Sequence, residues 1–100
     1  MDCMVAFSFK MYILLMPIIS RFFGIMVFMY WREHAPPHFH AKYGNDEIIM
    51  EITTGKITGA MSSRALSLVD AWRQQHITEL LDDWNLALQR QDLKRIEPLE

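Results

Sequence analysis

The first half of the chain has apolar positions in the spacing that strands require. Residues 23–31 form a continuous apolar run, FGIMVFMYW, which predicts a central strand covered on both faces. A histidine-rich segment ending at Tyr43 comes next, followed by residues 47–53, which alternate as in a half-buried strand. Residues 57–61 follow a Thr-Gly-Lys turn and predict a further strand. The pattern therefore predicts about four strands, of which the last three form an antiparallel meander.

The second half changes to helical spacing after Ser62 and Ser63, which provide an N-cap. The step between the apolar positions Trp72 and Ile77 is one residue too long for a continuous helix. We therefore expect a break near Gln75 and helices at about 63–75 and 77–90. The apolar stripe is Ala65, Val69, Trp72, Ile77, Leu80, Trp84 and Leu88, and the polar positions predicted to face solvent are Asp70, Arg73, Glu79, Asp82 and Asp83.

The last ten residues, 91–100, form a charged tail in which Leu93, Ile96 and Leu99 are able to dock on the domain. Strands followed by helices indicate the α+β class. The predicted fold is a small antiparallel sheet of about four strands, followed by two C-terminal helices packed on one face of it.

Residues 1–15 differ from the rest because they show neither turn residues nor a clear period. Met16 precedes the better patterned segment and is a candidate natural start. We therefore predict a single α+β domain over residues 16–100, with residues 1–15 as an extra, dispensable segment. A signal peptide is not favoured, because Asp2 is acidic and no small-residue cleavage site follows the apolar stretch.

A membrane span over residues 11–31 is also not favoured. That window contains Pro17, Arg21 and Gly24, and an arginine in the middle of a span is costly. The net charge of −2 and the lack of a run of Lys or Arg do not favour binding to nucleic acid. The single cysteine, Cys3, excludes an internal disulfide framework and a thiolate zinc cluster, which fits a reducing cytoplasm.

Candidate chemistry concentrates in residues 33–44, EHAPPHFHAKYG. The two prolines cannot donate backbone hydrogen bonds and end the preceding strand. On the strand that resumes after them, His38, His40 and Lys42 share one face, because successive side chains alternate. Phe39, Ala41 and Tyr43 share the other. We expect the histidine face to be a functional surface rather than part of the core.

Three interpretations of this face remain open, and the first is a divalent metal site. His38 and His40 would supply two imidazole ligands and His34 a third, with Glu33, Asp46 or Glu47 to complete the set. Without a metal the protein would need no cofactor.

The second interpretation is acid–base catalysis on RNA. His38 and His40 would be the proton-transferring pair, and Lys42, Arg21 or Arg32 would neutralise the phosphate.

The third interpretation is a binding module without chemistry. His34, Trp31 and Tyr43 would then contact a partner protein, since aromatic side chains are common interface anchors. Direct binding to DNA is disfavoured because Glu79, Asp82 and Asp83 on the second helix would repel phosphate, so operator DNA would be reached only through a partner.

Three separated motifs carry a family resemblance: residues 19–24 (ISRFFG), 37–44 (PHFHAKYG) and 94–99 (KRIEPL). With residues 64–66 (RAL), Trp72 and Trp84 between them, residues 16–100 resemble the small bacterial family called domain of unknown function 4160. The resemblance implies a two-gene module of the toxin–antitoxin type, with a small antitoxin-like partner protein. It supplies no established catalytic residues.

From the resemblance and the histidine segment together we expect a cytoplasmic protein that is the toxin of such a module, with RNA as a candidate substrate. The alternative is a non-enzymatic binding module or transcriptional regulator.

Overall fold

Five strands form one antiparallel sheet in the computed structural model, which describes residues 17–100. The strands lie in chain order across the sheet. They are β1 (Ile18–Phe22), β2 (Ile25–Phe28), β3 (His38–Tyr43), β4 (Asp46–Glu51) and β5 (Ile57–Gly59). The predicted α+β fold is confirmed, with one strand more than expected. The prediction that residues 1–15 are an extra segment falls outside the described residues.

The additional strand is β1, which lies before the apolar run 23–31, and the first two residues of that run form a turn rather than strand. Phe23 and Gly24 both have positive φ, at 49° and 81°, and form the turn between β1 and β2. Positive φ is easily adopted by glycine and seldom by other residues, so Gly24 makes the reversal accessible. β1 contains two polar residues, Ser20 and Arg21, and lies before the apolar run that we assigned to a single strand.

After Phe28 the chain leaves the sheet and crosses to the second helix. The N–H of Arg32, a residue with φ of 60°, donates to the carbonyl oxygen of Ala87 at 3.2 Å. Pro36 follows a cis peptide bond, and the carbonyl oxygen of Pro37 accepts from the N–H of Ile52 at 3.0 Å. These contacts at both ends determine the path of residues 29–37, the loop that carries Glu33.

Two helices follow the sheet: α1 (Ser63–Gln75) and α2 (Ile77–Leu88). Both predicted helices and the break between them are confirmed. Ser62 is the N-cap of α1, and its hydroxyl oxygen accepts from the N–H of Ala65 at 3.2 Å. His76 ends α1 and begins α2. The helices cover one face of the sheet, and the shared core contains Val27, Phe39, Ala41, Ile48, Met50, Val69, Trp72, Leu80 and Trp84.

Two helical residues predicted to face solvent are buried instead. Arg73 is 8% exposed, and its guanidinium donates to the carbonyl oxygen of Ile52 and to the carboxylate of Asp70, both at 2.9 Å. Asp83 is 1% exposed, and its Oδ1 accepts from the backbone N–H of Lys94 at 2.8 Å. Both charged groups are buried because backbone groups from distant segments pair with them.

The C-terminal tail docks on the domain, as the apolar residues in it predict. Ile96 is buried, and its N–H donates to the carbonyl oxygen of Ile19 at 2.8 Å. The indole N–H of Trp72 donates to the carbonyl oxygen of Glu97 at 2.8 Å. Within residues 17–100, neither helix is long and apolar enough to cross a membrane.

Candidate functional site

Three side chains from β3 and the loop before it meet on the sheet face opposite the one that carries Phe39 and Ala41. His40 Nε2 lies 2.6 Å from Glu33 Oε1, and His38 Nε2 lies 3.2 Å from the same oxygen atom. The two imidazoles share a face because they are two residues apart on a strand. The loop then returns Glu33 over them. We call Glu33, His38 and His40 the histidine–glutamate cluster.

The other ring nitrogen of each histidine has a partner of its own. His38 Nδ1 donates to the carbonyl oxygen of Pro36 at 2.8 Å. His40 Nδ1 lies 3.3 Å from Glu47 Oε2, a carboxylate oxygen on β4. A carbonyl oxygen can only accept, so His38 Nδ1 carries a hydrogen, whereas both ring nitrogens of His40 face carboxylate oxygens and either can be the donor. Each Nε2 is thereby directed at Glu33.

Aromatic rings hold both imidazoles in place. The ring of Phe28, which pairs with His40 across β2 and β3, stacks on the His40 imidazole at 5.2 Å between centroids. Tyr30 meets the same imidazole edge-on at 4.7 Å, and Trp84 of α2 contacts His38 at 5.1 Å. A side chain packed on several sides keeps one rotamer. The two imidazoles are therefore fixed before any ligand arrives.

The cluster is less exposed than a functional surface of free histidines would be. The side chain of His40 is 7% exposed and that of His38 11%, whereas the side chain of Glu33 is 27% exposed. His40 belongs to the buried residues, which corrects the expectation that the whole face lies outside the core. Glu33 is the most exposed of the three residues in the cluster.

The cations named from the sequence lie on the same sheet face, one row further along. Arg21 pairs with Met26, Met26 with Lys42, and Lys42 with Glu47, and directly paired residues point to the same face. This row is next to the row that contains His40. Arg21 and Lys42 are exposed, so both are accessible to an anion that approaches the cluster.

The remaining sequence candidates lie apart from the cluster. His34 and Arg32 are exposed loop residues that join neither the cluster nor the cation row. Tyr43 pairs with Ile25 and Asp46 on the face that carries the helices. It lines a separate cavity of about 220 Å³ with Phe23, Arg64 and Leu68. Asp46 is consequently not placed to join the histidines, whereas Glu33 and Glu47 are.

Trp31 is half-buried, and its indole nitrogen is buried without a hydrogen-bond acceptor among residues 17–100. Phe28 and Trp84, which contact the two imidazoles, were not predicted as site residues. Phe28 was identifiable in principle from strand pairing, but the contact of Trp84 with His38 depends on how α2 packs on the sheet.

Comparison with known proteins agrees with the resemblance noted from the motifs. The family model described as Domain of unknown function (DUF4160) matches residues 24–85, which include the whole histidine–glutamate cluster and Trp72 and Trp84. No curated protein and no solved structure matches the chain. Because the match spans more than half of the chain, the protein belongs to the DUF4160 family.

Proposed function

We propose that this member of the DUF4160 family is the toxin of a two-protein module and cleaves RNA at the histidine–glutamate cluster. The observation that supports the proposal is the convergence of His38 and His40 on Glu33, at 3.2 and 2.6 Å, beside the exposed cations Arg21 and Lys42. Paired imidazoles and nearby cations are the groups that phosphodiester cleavage requires.

The chemistry assigned to these groups is a transesterification. One imidazole takes the proton of the ribose 2′-hydroxyl as its oxygen attacks phosphorus, and the bond from phosphorus to the 5′-oxygen breaks. The other imidazole gives a proton to that departing oxygen. Imidazole suits both steps because its unperturbed pKa lies close to neutral pH. Lys42 and Arg21 stabilise the charge that develops on the phosphate.

Glu33 has two roles in this proposal. In the free protein its carboxylate holds both Nε2 atoms, which preorganises the imidazoles. Its negative charge also repels a phosphate that approaches the same atoms. Substrate binding therefore requires that Glu33 moves aside or that a cation offsets its charge. Glu33 lies in the loop 29–37 and is the most exposed member of the cluster, so it is the member best able to move.

The partner in this proposal is a small antitoxin-like protein that covers the sheet face of the cluster in a cytoplasmic complex. An acidic segment of such a partner would complement Arg21 and Lys42, which are exposed beside the cluster. Covering these two cations would also block the phosphate of a substrate.

The direct test is inducible expression of the full chain in bacteria, alone and with the product of the neighbouring gene. We expect arrested growth, rescue by the neighbour, and cleavage of total RNA by the purified protein. His38→Ala should abolish toxicity and cleavage while the chain stays folded. His34→Ala is the matched control, because His34 is exposed and outside the cluster. Normal growth with abundant, folded wild-type protein would contradict the toxin assignment.

A second candidate function is a non-enzymatic binding module or regulator. It is favoured by Phe23 and Tyr43, large side chains that are 55% and 41% exposed beside the 220 Å³ cavity. This alternative predicts no toxicity and a stable complex with the neighbouring gene product, weakened by Phe23→Ser and unaffected by His38→Ala.

A further inference from the structure

We infer that Glu33, His38 and His40 bind one divalent transition-metal ion, with Zn²⁺ as the ion whose chemistry fits best. The binding itself is independent of the proposed ribonuclease, and only its catalytic consequence rests on that proposal. Three features of the cluster lead to the inference: the direction of the lone pairs, the spacing of the ligand atoms and the contacts that orient the imidazoles.

The lone pairs of the cluster converge on a single point. A neutral imidazole carries one hydrogen, and in His38 it is on Nδ1, where the Pro36 carbonyl accepts it. His38 Nε2 then presents a lone pair to Glu33 Oε1, which is also an acceptor. Neutral His40 is short of one hydrogen, because both of its ring nitrogens face carboxylate oxygens, those of Glu47 and Glu33, and it can donate to only one of them. A cation bound between the two Nε2 atoms and Glu33 satisfies all three acceptors.

The spacing of the three atoms matches a small coordination sphere. One ring nitrogen of each histidine and a Glu33 carboxylate oxygen all lie within 4.8 Å of one another. Ligand bonds of about 2.0–2.1 Å in tetrahedral geometry put neighbouring ligand atoms about 3.3 Å apart. The distances to Glu33 Oε1 of 2.6 and 3.2 Å are slightly shorter. A shift of less than about 1 Å by Glu33, the most exposed member, is therefore enough to admit the ion.

The contacts behind the ligands are of the kind that tune metal sites. Metal-ligating histidines usually donate their other ring N–H to a carboxylate or a backbone carbonyl, which sets the tautomer and the ring orientation. Glu47 fills this role for His40, and the Pro36 carbonyl fills it for His38. The rings of Phe28 and Trp84 add packing that fixes both imidazoles.

The ligand set also selects the class of ion. Two imidazole nitrogens and one carboxylate suit Zn²⁺ and its transition-metal neighbours, whereas Mg²⁺ and Ca²⁺ prefer oxygen ligands throughout. Three protein ligands leave a position for water or substrate, as in catalytic rather than structural sites. With an ion on both Nε2 atoms, the imidazoles would no longer exchange protons there. In a metal-loaded ribonuclease the ion would therefore replace the imidazole pair in catalysis, and it would offset the charge of Glu33 and polarise a phosphate oxygen.

The test is calorimetric titration of the untagged full chain, stripped with EDTA, with ZnCl₂ and with MgCl₂. Absorption of the Co²⁺-loaded protein reports the coordination geometry. We expect one equivalent of Zn²⁺ and no uptake of Mg²⁺ under the same conditions. Glu33→Gln and His38→Gln should each weaken Zn²⁺ binding by more than about 100-fold, because each removes a direct ligand. Glu47→Gln should weaken it about 10- to 100-fold, as expected for an orienting contact.

The control variant is His34→Gln, which changes a histidine three residues before the Pro37 bend without touching the cluster. It should bind Zn²⁺ as the wild type does, and circular dichroism should show that every variant remains folded. Failure of folded wild-type protein to bind Zn²⁺ would overturn the inference. The same conclusion follows if Glu33→Gln and His38→Gln bind with unchanged affinity, or if His34→Gln loses binding to the same extent.

The two proposals fail separately. Cleavage of RNA that persists in EDTA, by protein that binds no Zn²⁺, would remove the metal site and leave the ribonuclease. Binding of one Zn²⁺ that depends on Glu33 and His38, without any RNA cleavage or growth arrest, would leave the metal site and remove the ribonuclease.

Discussion

Replacement of Asp83 by asparagine should change how the stability of this protein depends on pH. Asp83 is buried in α2, where its Oδ1 accepts from the Lys94 N–H, and its Oδ2 has no partner in the described part of the chain. The pKa of Asp83 is raised from 3.8 to about 6, mainly by burial; the hydrogen bond from the Lys94 N–H and the Lys94 charge lower the pKa, and the charges of Asp82 and Glu79 raise it. The ionised form is therefore disfavoured in the folded state.

The sign of the effect follows from proton binding. Between pH 3.8 and about 6 the folded chain keeps a proton on Asp83 that the unfolded chain has released. This stabilisation is fully present below pH 3.8 and is lost as the pH rises through about 6. The difference between the two pKa values corresponds to about 3 kcal/mol in the free energy of unfolding. Of this, about 2 kcal/mol should be lost between about pH 4 and pH 7.

The assay is urea unfolding followed by tryptophan fluorescence at a series of pH values, for the wild type and Asp83→Asn. Asparagine keeps an oxygen for the Lys94 N–H but cannot ionise. The stability of the wild type relative to the variant should therefore fall by about 2 kcal/mol from about pH 4 to pH 7. Asp82→Asn, at an exposed neighbouring position, should leave the pH dependence close to that of the wild type. A difference between wild type and Asp83→Asn that is flat, or that rises with pH, would refute the reasoning.

Two further substitutions test the packing around the site. Arg73→Met should lower the free energy of unfolding by about 2 kcal/mol, because it leaves the buried carbonyl oxygen of Ile52 without its charged donor. The control is Arg64→Met, on the exposed side of α1. It should change the free energy of unfolding by less than about 0.5 kcal/mol in the same urea titration. His40→Ala should lower the free energy of unfolding by about 1–3 kcal/mol in thermal or urea unfolding, because it opens a gap beneath Phe28 and Tyr30. His34→Ala should change the free energy of unfolding by no more than about 0.5 kcal/mol. Equal effects of the two histidine substitutions would show that His40 is not packed as the structure indicates.

Local patterns in the sequence determined the helices and the alternation of the histidines. The break at His76 and the cap at Ser62 were predictable because helix ends are encoded by nearby residues. The shared face of His38 and His40 was predictable because side chains alternate along any strand. The apolar residues of the tail also predicted its docking, which the burial of Ile96 confirms.

The sheet needed tertiary information at one point. The turn at Phe23 and Gly24 occupies the first two residues of the apolar run 23–31, so hydrophobic spacing gave no sign of the reversal. β1 lies before that run and was not predicted, and only its pairing with β2 identifies it as a strand. Arg73 and Asp83 were misplaced for a related reason, because their partners, the Ile52 carbonyl and the Lys94 N–H, are distant in sequence.

Tertiary structure also decided which residues complete the histidine pair. The sequence offered His34 as a third ligand and Glu33, Asp46 or Glu47 to complete the set. Strand register turns Asp46 to the helix side of the sheet and Glu47 toward His40. The N–H of Arg32 donates to the carbonyl oxygen of Ala87 and so helps to set the path of the loop. Along this path Glu33 contacts the histidines, and His34 is exposed to solvent. Spacing along a chain defines the face of a strand, but the course of an irregular loop depends on the distant groups that it contacts.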